Sequence, residues 1–469
     1  MSGLFGSLTN NVKALNAQSR AIETAGRNLA NVNNPHYARQ RVLFGDRGTV
    51  QTDLGPQSLG LEALGITQLR DALLDKQVLR ETALESSLTN EQAALQKAQA
   101  GLGENIDRSN GASSVTQADN SSHGIASAVN NFFNAFQSFA ASPTDTGERQ
   151  TLIQKSNILA DRLQRADSRL AQVQSDIDTQ VNTDVGEANR LIQTIAELNA
   201  QIGRLEVGQP GAAVDLRDQR QARLEDLAKI LPFDVQGSVG ATGQIQVSIG
   251  GTVLLDKAEI KGTLAFTGTV ITGGLPATAL SLASGSIKGG LQARDGNVQA
   301  MRDSLDALAR QLVTSVNTAY NPTGTTGDFF TAAGITASTL SVTTGLNSSN
   351  LKASDGGPAG DNTIALAVAN LANSSFSTAR GDAINGTFSS HYNRAVTDLG
   401  QALASTNARL DDQGNVAQIV RGQRDAVSAV SLDEEMADLL KFQRAFQATS
   451  RVFTVVDQLL ETVVTSLGR

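Results

Sequence analysis

The side chains able to do chemistry are few. His36, His123 and His391 are the three histidines of 469 residues, scattered and without a partner motif nearby. Each is expected to face solvent or cap a turn. Cysteine is absent, which removes thiolate nucleophiles, disulfides and Cys-bound zinc. The carboxylate pairs Asp411-Asp412 and Glu434-Glu435 read as a loop and a helix start, and a solvated face or a cap explains both better than an acid/base pair. Asp411-Asp412-Gln413-Gly414-Asn415 has a superficial look of calcium binding, but it lacks the alternating ligands and the closing Glu of a calcium loop. Phosphate-loop, dinucleotide, nucleophile-elbow and zinc-protease patterns are missing. The sequence therefore predicts a chain that is not an enzyme, with no catalytic residues, no cofactor and no metal.

Composition points the same way. The net charge of −8 and the pI near 5.1 argue against nucleic acid and anionic membranes as partners. Trp is absent and aromatics are 4%, so the large anchors of a compact enzyme core are scarce. No apolar run reaches membrane-spanning length. The start, Met1 to Ser7, lacks a basic segment leading into an apolar one, so no cleavable secretory signal is expected.

What is abundant is helical periodicity. Leu8, Leu15, Ile22 and Leu29 recur every seven residues, with Phe5, Val12, Ser19 and Gly26 between them. This is a heptad seam. It ends at Asn31-Val32-Asn33-Asn34-Pro35, where an asparagine could supply a left-handed cap and Pro35 forces Asn34 to extend. The other end mirrors it: Leu432, Leu439, Phe446, Phe453 and Leu460 are seven apart, with Met436, Gln443, Ser450, Asp457 and Val464 interleaved. Ser431 followed by Glu434 reads as a capping box. Further helical patterns run through Leu88, Leu95 and Leu102 in a register begun near Ile66, over residues 150–206, from Ile287 to Val316, and from Ser390 to Ser428. Residues 233–286 alternate and read as strands. Residues 321–376 are rich in Ser, Thr, Gly and Asn and read as a small β or loop insertion.

The fold class is mainly α with β-rich insertions, nested and discontinuous. Residues 1–45 with 431–469 are expected to form a terminal coiled-coil assembly domain. Residues 46–232, 287–320 and 377–430 are expected to form a long-helix rod, with 233–286 as a β-rich outer domain and 321–376 as a small insertion. A narrow stripe on an isolated helix of this length buries too little alone and needs a partner. The two ends carry opposite charge. Lys13, Arg20, Arg27, Arg39 and Arg41 oppose Glu23 at the start, while six acids oppose four bases over 431–469. That favours pairing of the ends, within a chain or between copies.

The strings Asn28-Leu29-Ala30-Asn31-Val32-Asn33-Asn34-Pro35-His36-Tyr37 and Ser431-Leu432-Asp433-Glu434-Glu435-Met436-Ala437-Asp438-Leu439, the latter followed by Phe442-Gln443-Arg444-Ala445-Phe446-Gln447-Ala448, resemble the terminal signatures of bacterial flagellar rod, hook and hook-associated proteins. Tyr37-Ala38-Arg39-Gln40, and Asp215-Leu216-Arg217-Asp218-Gln219-Arg220 ahead of a helix, are similar to the hook-associated branch. Asn34 and His36 stand where the common signature has Thr and Gly. A glycine there would suggest a positive φ, and His36 would then be strained.

The resemblance implies an extracellular structural subunit that joins hook to filament. It implies export through the flagellar type III apparatus without a cleaved signal, and a cytoplasmic chaperone on the C-terminal helix before export. The implied partners are the hook protein, the second junction protein and other copies of the chain, with no nucleic acid and no membrane insertion. The implied assembly residues are Phe5, Leu8, Val12, Leu15, Ile22, Leu29, Asn31, Asn33, Pro35 and Tyr37, with Leu432, Met436, Leu439, Gln443, Phe446, Phe453, Leu460 and Val464. Another flagellar axial protein and a coiled-coil surface adhesin are the alternatives.

Overall fold

The computed structural model describes residues 2–46, 48–52, 55–58, 60–102, 124–240, 243–324, 327–358 and 360–467. His123 lies outside them. The N-terminal heptads fold as α1 (Ser2–Ala30). Four strands follow: β1 (Gln40–Asp46), β2 (Thr49–Thr52), β3 (Gly55–Ser58) and β4 (Leu61–Gln68). β1 pairs antiparallel with β4, with an irregularity between Leu43 and Phe44, and β2 pairs antiparallel with β3. This corrects the helical register expected to begin near Ile66, because Ile66 lies in β4 opposite Val42. β-branched residues set between turn glycines favour hairpins over helix here. Gly55 and Gly60 hold φ of 104° and 84°, angles that suit glycine.

Helix resumes at α2 (Ala72–Leu102), where the Asp71 carboxylate accepts from the Leu73 amide at 2.8 Å. Leu88, Leu95 and Leu102 are buried, at the heptad spacing of the sequence. Then come α3 (Ile125–Ala141), α4 (Thr146–Leu205) and α5 (Val214–Ile230). Asp215 to Arg220 lie inside α5 and not ahead of it. The segment 233–286 gives β5 (Asp234–Gly237), β6 (Ile245–Ile249), β7 (Thr252–Asp256) and β8 (Glu259–Ile260), an antiparallel sheet in that order. β9 (Ala265–Phe266), β10 (Ile271–Gly273) and β11 (Thr278–Ala279) form a smaller sheet with β10 in the middle.

α6 (Gly285–Ala293) runs through a π turn, Arg294–Val298, into α7 (Gln299–Tyr320). α8 (Thr363–Asn370) follows within a mostly irregular stretch that carries two isolated bridges, Phe330 to Val342 and Phe376 to Gly386. α9 (Phe388–Ser428) and α10 (Leu432–Leu467) complete the chain. Asp411, Asp412 and Gly414 sit inside α9, not in a loop, because the run has no proline and Gly414 meets no neighbour.

The contacts gather the chain into two compact units. One comprises Met1–Glu85, Asp184–Gly285 and Gln413–Arg469; the other comprises Ser86–Thr183 and Ser286–Asp412. The second unit concentrates the scarce aromatics. Phe132, Phe136, Phe139, Phe329, Phe330, Phe388 and Tyr320 are all buried there. Phe132 meets Phe133, Phe136, Phe330 and Phe329 at centroid distances of 5.0, 5.1, 5.6 and 5.9 Å. Beside this core, Arg302 donates to Asp167 at 2.8 Å and to Gln174 at 2.8 Å, and Gln174 donates to the Arg294 carbonyl of the π turn at 3.2 Å. His391 is half-buried, with Nε2 3.2 Å from the Ser304 carbonyl, and burial lowers its pKa. That corrects the expectation of a solvent-facing ring.

α6 and α2 approach closely in this unit. A Cβ on Gly289 would meet the Ser87 carbonyl oxygen at 1.9 Å. Gly289→Ala is expected to destabilise the unit by about 1–3 kcal/mol, because backbone cannot yield as a flexible side chain can. Gly296 meets nothing within 4 Å, so Gly296→Ala is the control and should be neutral or slightly stabilising. Urea unfolding of the two variants checks this, and equal midpoints would refute it.

Candidate assembly site

α1 packs along α10. The site forms where the end of α1, the turn after it and the start of α10 meet. α1 leaves its helix through successive turns. The Asn31 amide donates to the Arg27 and Asn28 carbonyls at 3.2 and 3.0 Å, the Asn34 amide to Asn31 at 2.9 Å, and the Tyr37 amide to Asn34 at 3.1 Å. No left-handed asparagine is used: among the described residues, Lys257 is the one non-glycine with positive φ. Side chains take over part of the capping. Asn31 Nδ2 donates to the Arg27 carbonyl at 3.0 Å, and the His36 amide donates to Asn34 Oδ1 at 3.2 Å. His36 is therefore not strained in the way a glycine position would demand.

Asn28 is the centre. Its Oδ1 accepts from the Tyr37 hydroxyl at 2.8 Å and from the Gln40 amide at 3.0 Å. Its Nδ2 donates to the Gln40 carbonyl at 2.9 Å and to Glu435 Oε2 at 3.0 Å. Arg39 completes the ring. Its Nε donates to Glu435 Oε1 at 2.6 Å, its Nη1 pairs with Glu434, and its Nη2 lies 3.6 Å from Asp438. Its backbone amide donates to the Ser428 carbonyl at 2.8 Å. Asn28, Arg39, Gln40 and Glu435 are all buried. Burial opposes the charge on Arg39, but the two glutamates outweigh it and raise its pKa. Glu434 thus points to Arg39, whereas a capping box would turn it back to Ser431.

α5 closes the other side. Gln40 Nε2 donates to Asp215 at 2.9 Å, and the Ala38 amide to Asp218 at 3.4 Å. Arg70 donates to Asp218 at 2.7 Å, to the His36 carbonyl at 2.9 Å and to Asp75 at 3.2 Å. Burial pushes the Asp218 and Asp75 carboxyls up, against the pull of Arg70. Burial and then the charge of Asp218 push the Tyr37 hydroxyl up. All four motif strings of the sequence thus meet in one hydrogen-bonded knot.

The seam residues are distributed around this knot. Leu8, Leu15, Ile22 and Leu29 are half-buried and Val12 is exposed. Phe5 belongs to α1, and its side chain lies outside the described residues. The buried stripe of α1 is Ala17, Ala21, Thr24, Ala25 and Asn28. Asn31 and Tyr37 are half-buried; Asn33 and Pro35 are exposed. On α10, Leu439, Phe453 and Leu460 are half-buried, while Leu432, Met436, Gln443, Phe446 and Val464 are exposed. Phe442 faces inward, its ring 6.2 Å from Phe44. Of the two pairings that the opposite charges allow, within a chain or between copies, the structure shows the first. The ends pair with each other, yet Leu432, Met436, Leu440, Phe446, Val452, Val455, Leu459 and Val464 keep apolar surface in water.

Asn28, Arg39, Gln40, Glu435 and Asp218 carry the knot and are missing from the assembly residues that the resemblance implies. Their presence in the motif strings is the signal available; no spacing in the sequence links Asn28 to a carboxylate 407 residues away.

Nearby, Glu206 is fully buried and accepts from Arg217 at 2.7 and 2.9 Å and from the Ala213 amide at 3.2 Å. Burial would raise its pKa, but Arg217 and the amides of Gly211 and Ala213 win and lower it. The folded value lies below the unfolded one, so this contribution to stability is present above about pH 4.3 and is lost as pH falls through the folded value. Asp218 and Asp75 have the opposite sign and do not add to the loss. Glu206→Gln is expected to flatten the fall in urea stability between about pH 6 and about pH 3, because one fewer proton is taken up on unfolding. An unchanged pH slope would refute it.

Comparison with known proteins gives the context. The family model "Flagellar hook-associated protein FlgK helical domain" matches residues 115–330, and "Flagellar basal body rod FlgEFG protein C-terminal" matches 423–467. Flagellar hook-associated protein 1 of Bacillus subtilis is 27% identical over 100% of this chain and 99% of its own. The chain is thus similar to flagellar hook-associated protein 1 from end to end. The Escherichia coli protein of that name is 22% identical over 98% of this chain and 99% of its own. A solved structure, titled the flagellar hook junction protein FlgK from Burkholderia pseudomallei, is 22% identical with a TM-score of 0.45, covering 52% of this chain and 43% of that one. α10 falls wholly inside the second family match, and α3, α4, α5 and all of β5–β11 fall inside the first.

Proposed function

We propose that the chain is the structural adaptor that joins the flagellar hook to the filament, with α1, the Asn28–Gln40 turn and α10 as its assembly domain. Its work is mechanical: repeated contact that stacks subunits along an axis, with no reaction to catalyse. One observation carries the reading. The four motif strings shared with flagellar axial proteins converge on one buried knot, and the helices leading from it keep apolar residues in water. Such surface is what neighbouring subunits would cover. The hook protein, the second junction protein and further copies of the chain fit that surface. Export through the flagellar apparatus and a chaperone on α10 before export belong to the same reading, because α10 exposes a row of large apolar side chains until assembly.

Labelled antibody on isolated flagella tests it. Label is expected at one short zone between hook and filament. A strain lacking the gene should make hooks without attached filaments. Attached filaments in that strain, or label along the whole filament, would overturn the reading.

A further inference from the structure

We infer that the Asn28–Glu435 pair, supported by Arg39, fixes the axial register of α1 against α10. The inference concerns the assembly domain of the reading above, but its test is made on the isolated chain.

The face that α1 buries is made of small side chains, Ala17, Ala21, Thr24 and Ala25. Its large side chains, Leu15, Ile22 and Leu29, are only half-buried at the margin, so the face resists sliding along a neighbour only weakly. The face that α10 presents does not lock it either. Phe442, Ala445, Thr449, Phe453 and Leu460 are half-buried, and among the described residues of α10 the one fully buried side chain is Glu435. Apolar packing therefore holds the two helices together without saying where along each other they stop.

Asn28 supplies that information. A primary amide has two N–H donors and an oxygen that accepts two hydrogen bonds, and Asn28 uses all four. Three of them go to Tyr37 and Gln40, which hold the amide in one orientation. Turning it over would set its N–H groups against the Tyr37 hydroxyl hydrogen and the Gln40 N–H. The fourth is aimed out of this local frame at Glu435. Arg39, anchored through its backbone to Ser428, holds the other carboxylate oxygen. A slide by one helical turn, about 5.4 Å, would carry Glu435 away from both donors and leave a buried carboxylate unpaired. A polar residue in a helical seam sets register in this way, at some cost in stability. Arg39, Glu434 and Asp438 alone could not, because the two acids lie at the exposed rim and the long stem of Arg39 can follow them.

The absence of cysteine makes the register directly measurable. Ala21→Cys is combined in turn with Asp438→Cys, Phe442→Cys, Ala445→Cys and Thr449→Cys in the full-length chain, and disulfide yield is read under mild oxidant. One position on α10 should dominate. Glu435→Leu removes the pin and leaves the bonds of Asn28 to Tyr37 and Gln40 in place. It is expected to lower the preference for that position severalfold and to raise yield one turn away, with the helices still paired. Asn28→Asp sets carboxylate against carboxylate, and against the Gln40 carbonyl that the amide served, and should spread the yield too. A residue of merely structural weight would change the melting temperature and leave the crosslink pattern alone. Glu435→Leu with an unmoved pattern, or a parent chain with no favoured position, would overturn the inference. Label missing from the hook–filament zone with the pattern intact would count against the adaptor reading and not against the pin.

Discussion

Arg39→Met is expected to cost about 3–5 kcal/mol of the stability of the unit that holds the chain ends, the scale for removing one partner of a buried ion pair. Methionine keeps most of the apolar stem, so little packing is lost. What remains is the buried Glu435 side chain without its guanidinium, with Asn28 still donating to it. Its place in the first turn of α10 helps, since the helix N-terminus favours negative charge by about 0.3–1 kcal/mol, but that does not offset the guanidinium. Glu434 is mostly exposed and Asp438 is half-exposed, so their share of the loss is small. Hydrogen exchange over Leu432–Lys441 and over Gln40–Phe44 should accelerate together, because both elements are tied to the same side chain. Arg39→Met with Glu435→Leu should recover most of the loss, as a buried pair replaced by apolar residues usually does. A single variant that exchanges like the parent would refute the prediction.

The long helices were legible because large apolar residues recur at a fixed period and prolines are few. Leu88, Leu95 and Leu102, or Ile287 through Val316, bury as their spacing says. The hairpins at Gln40–Gln68 were not, because Ile66 stands 22 residues before Leu88, close to a whole number of helical turns at about 3.6 residues each, and so continues the helical pattern by coincidence. A short alternating run within a helical neighbourhood carries too few residues to settle its own period. The β-rich character of 233–286 was plain from its alternation. The irregular stretch around α8 was plain from its composition, though its two isolated bridges were not.

The site shows a subtler limit. Reading a seam means following the largest apolar side chains, and on α1 that selects Leu8, Leu15, Ile22 and Leu29. The stripe that α1 buries lies beside them, on Ala17, Ala21, Thr24 and Ala25, because small residues allow the close approach. The larger residues are left half-buried at its margin. The opposite charges of the two ends did announce that they would meet. They did not say that one arginine would take Glu434, Glu435 and Asp438 together. That pairing depends on a turn, a strand and a helix start arriving at one place, and a single sequence carries no record of it.

Phe132→Ala is expected to destabilise the second unit by about 3–5 kcal/mol, the range for a buried phenylalanine cut to alanine. The chain has few aromatics, and this unit gathers them in one cluster, so the loss is concentrated. Phe132 is fully buried and touches four rings drawn from α3 and from the stretch after α7. Phe329 and Phe330 meet each other at 5.0 Å and Tyr320 meets Phe329 at 5.3 Å. These rings are braced by one another and cannot collapse freely into the space, which places the cost toward the upper end. Phe132→Leu refills part of the volume and should lose roughly half as much. Calorimetry reads the effect as an earlier transition for this unit. Hydrogen exchange at Asn28, Arg39 and Gln40, in the other unit, should be unchanged at temperatures below that transition. A melting profile like the parent's for Phe132→Ala would mean that the cluster does not hold this unit together.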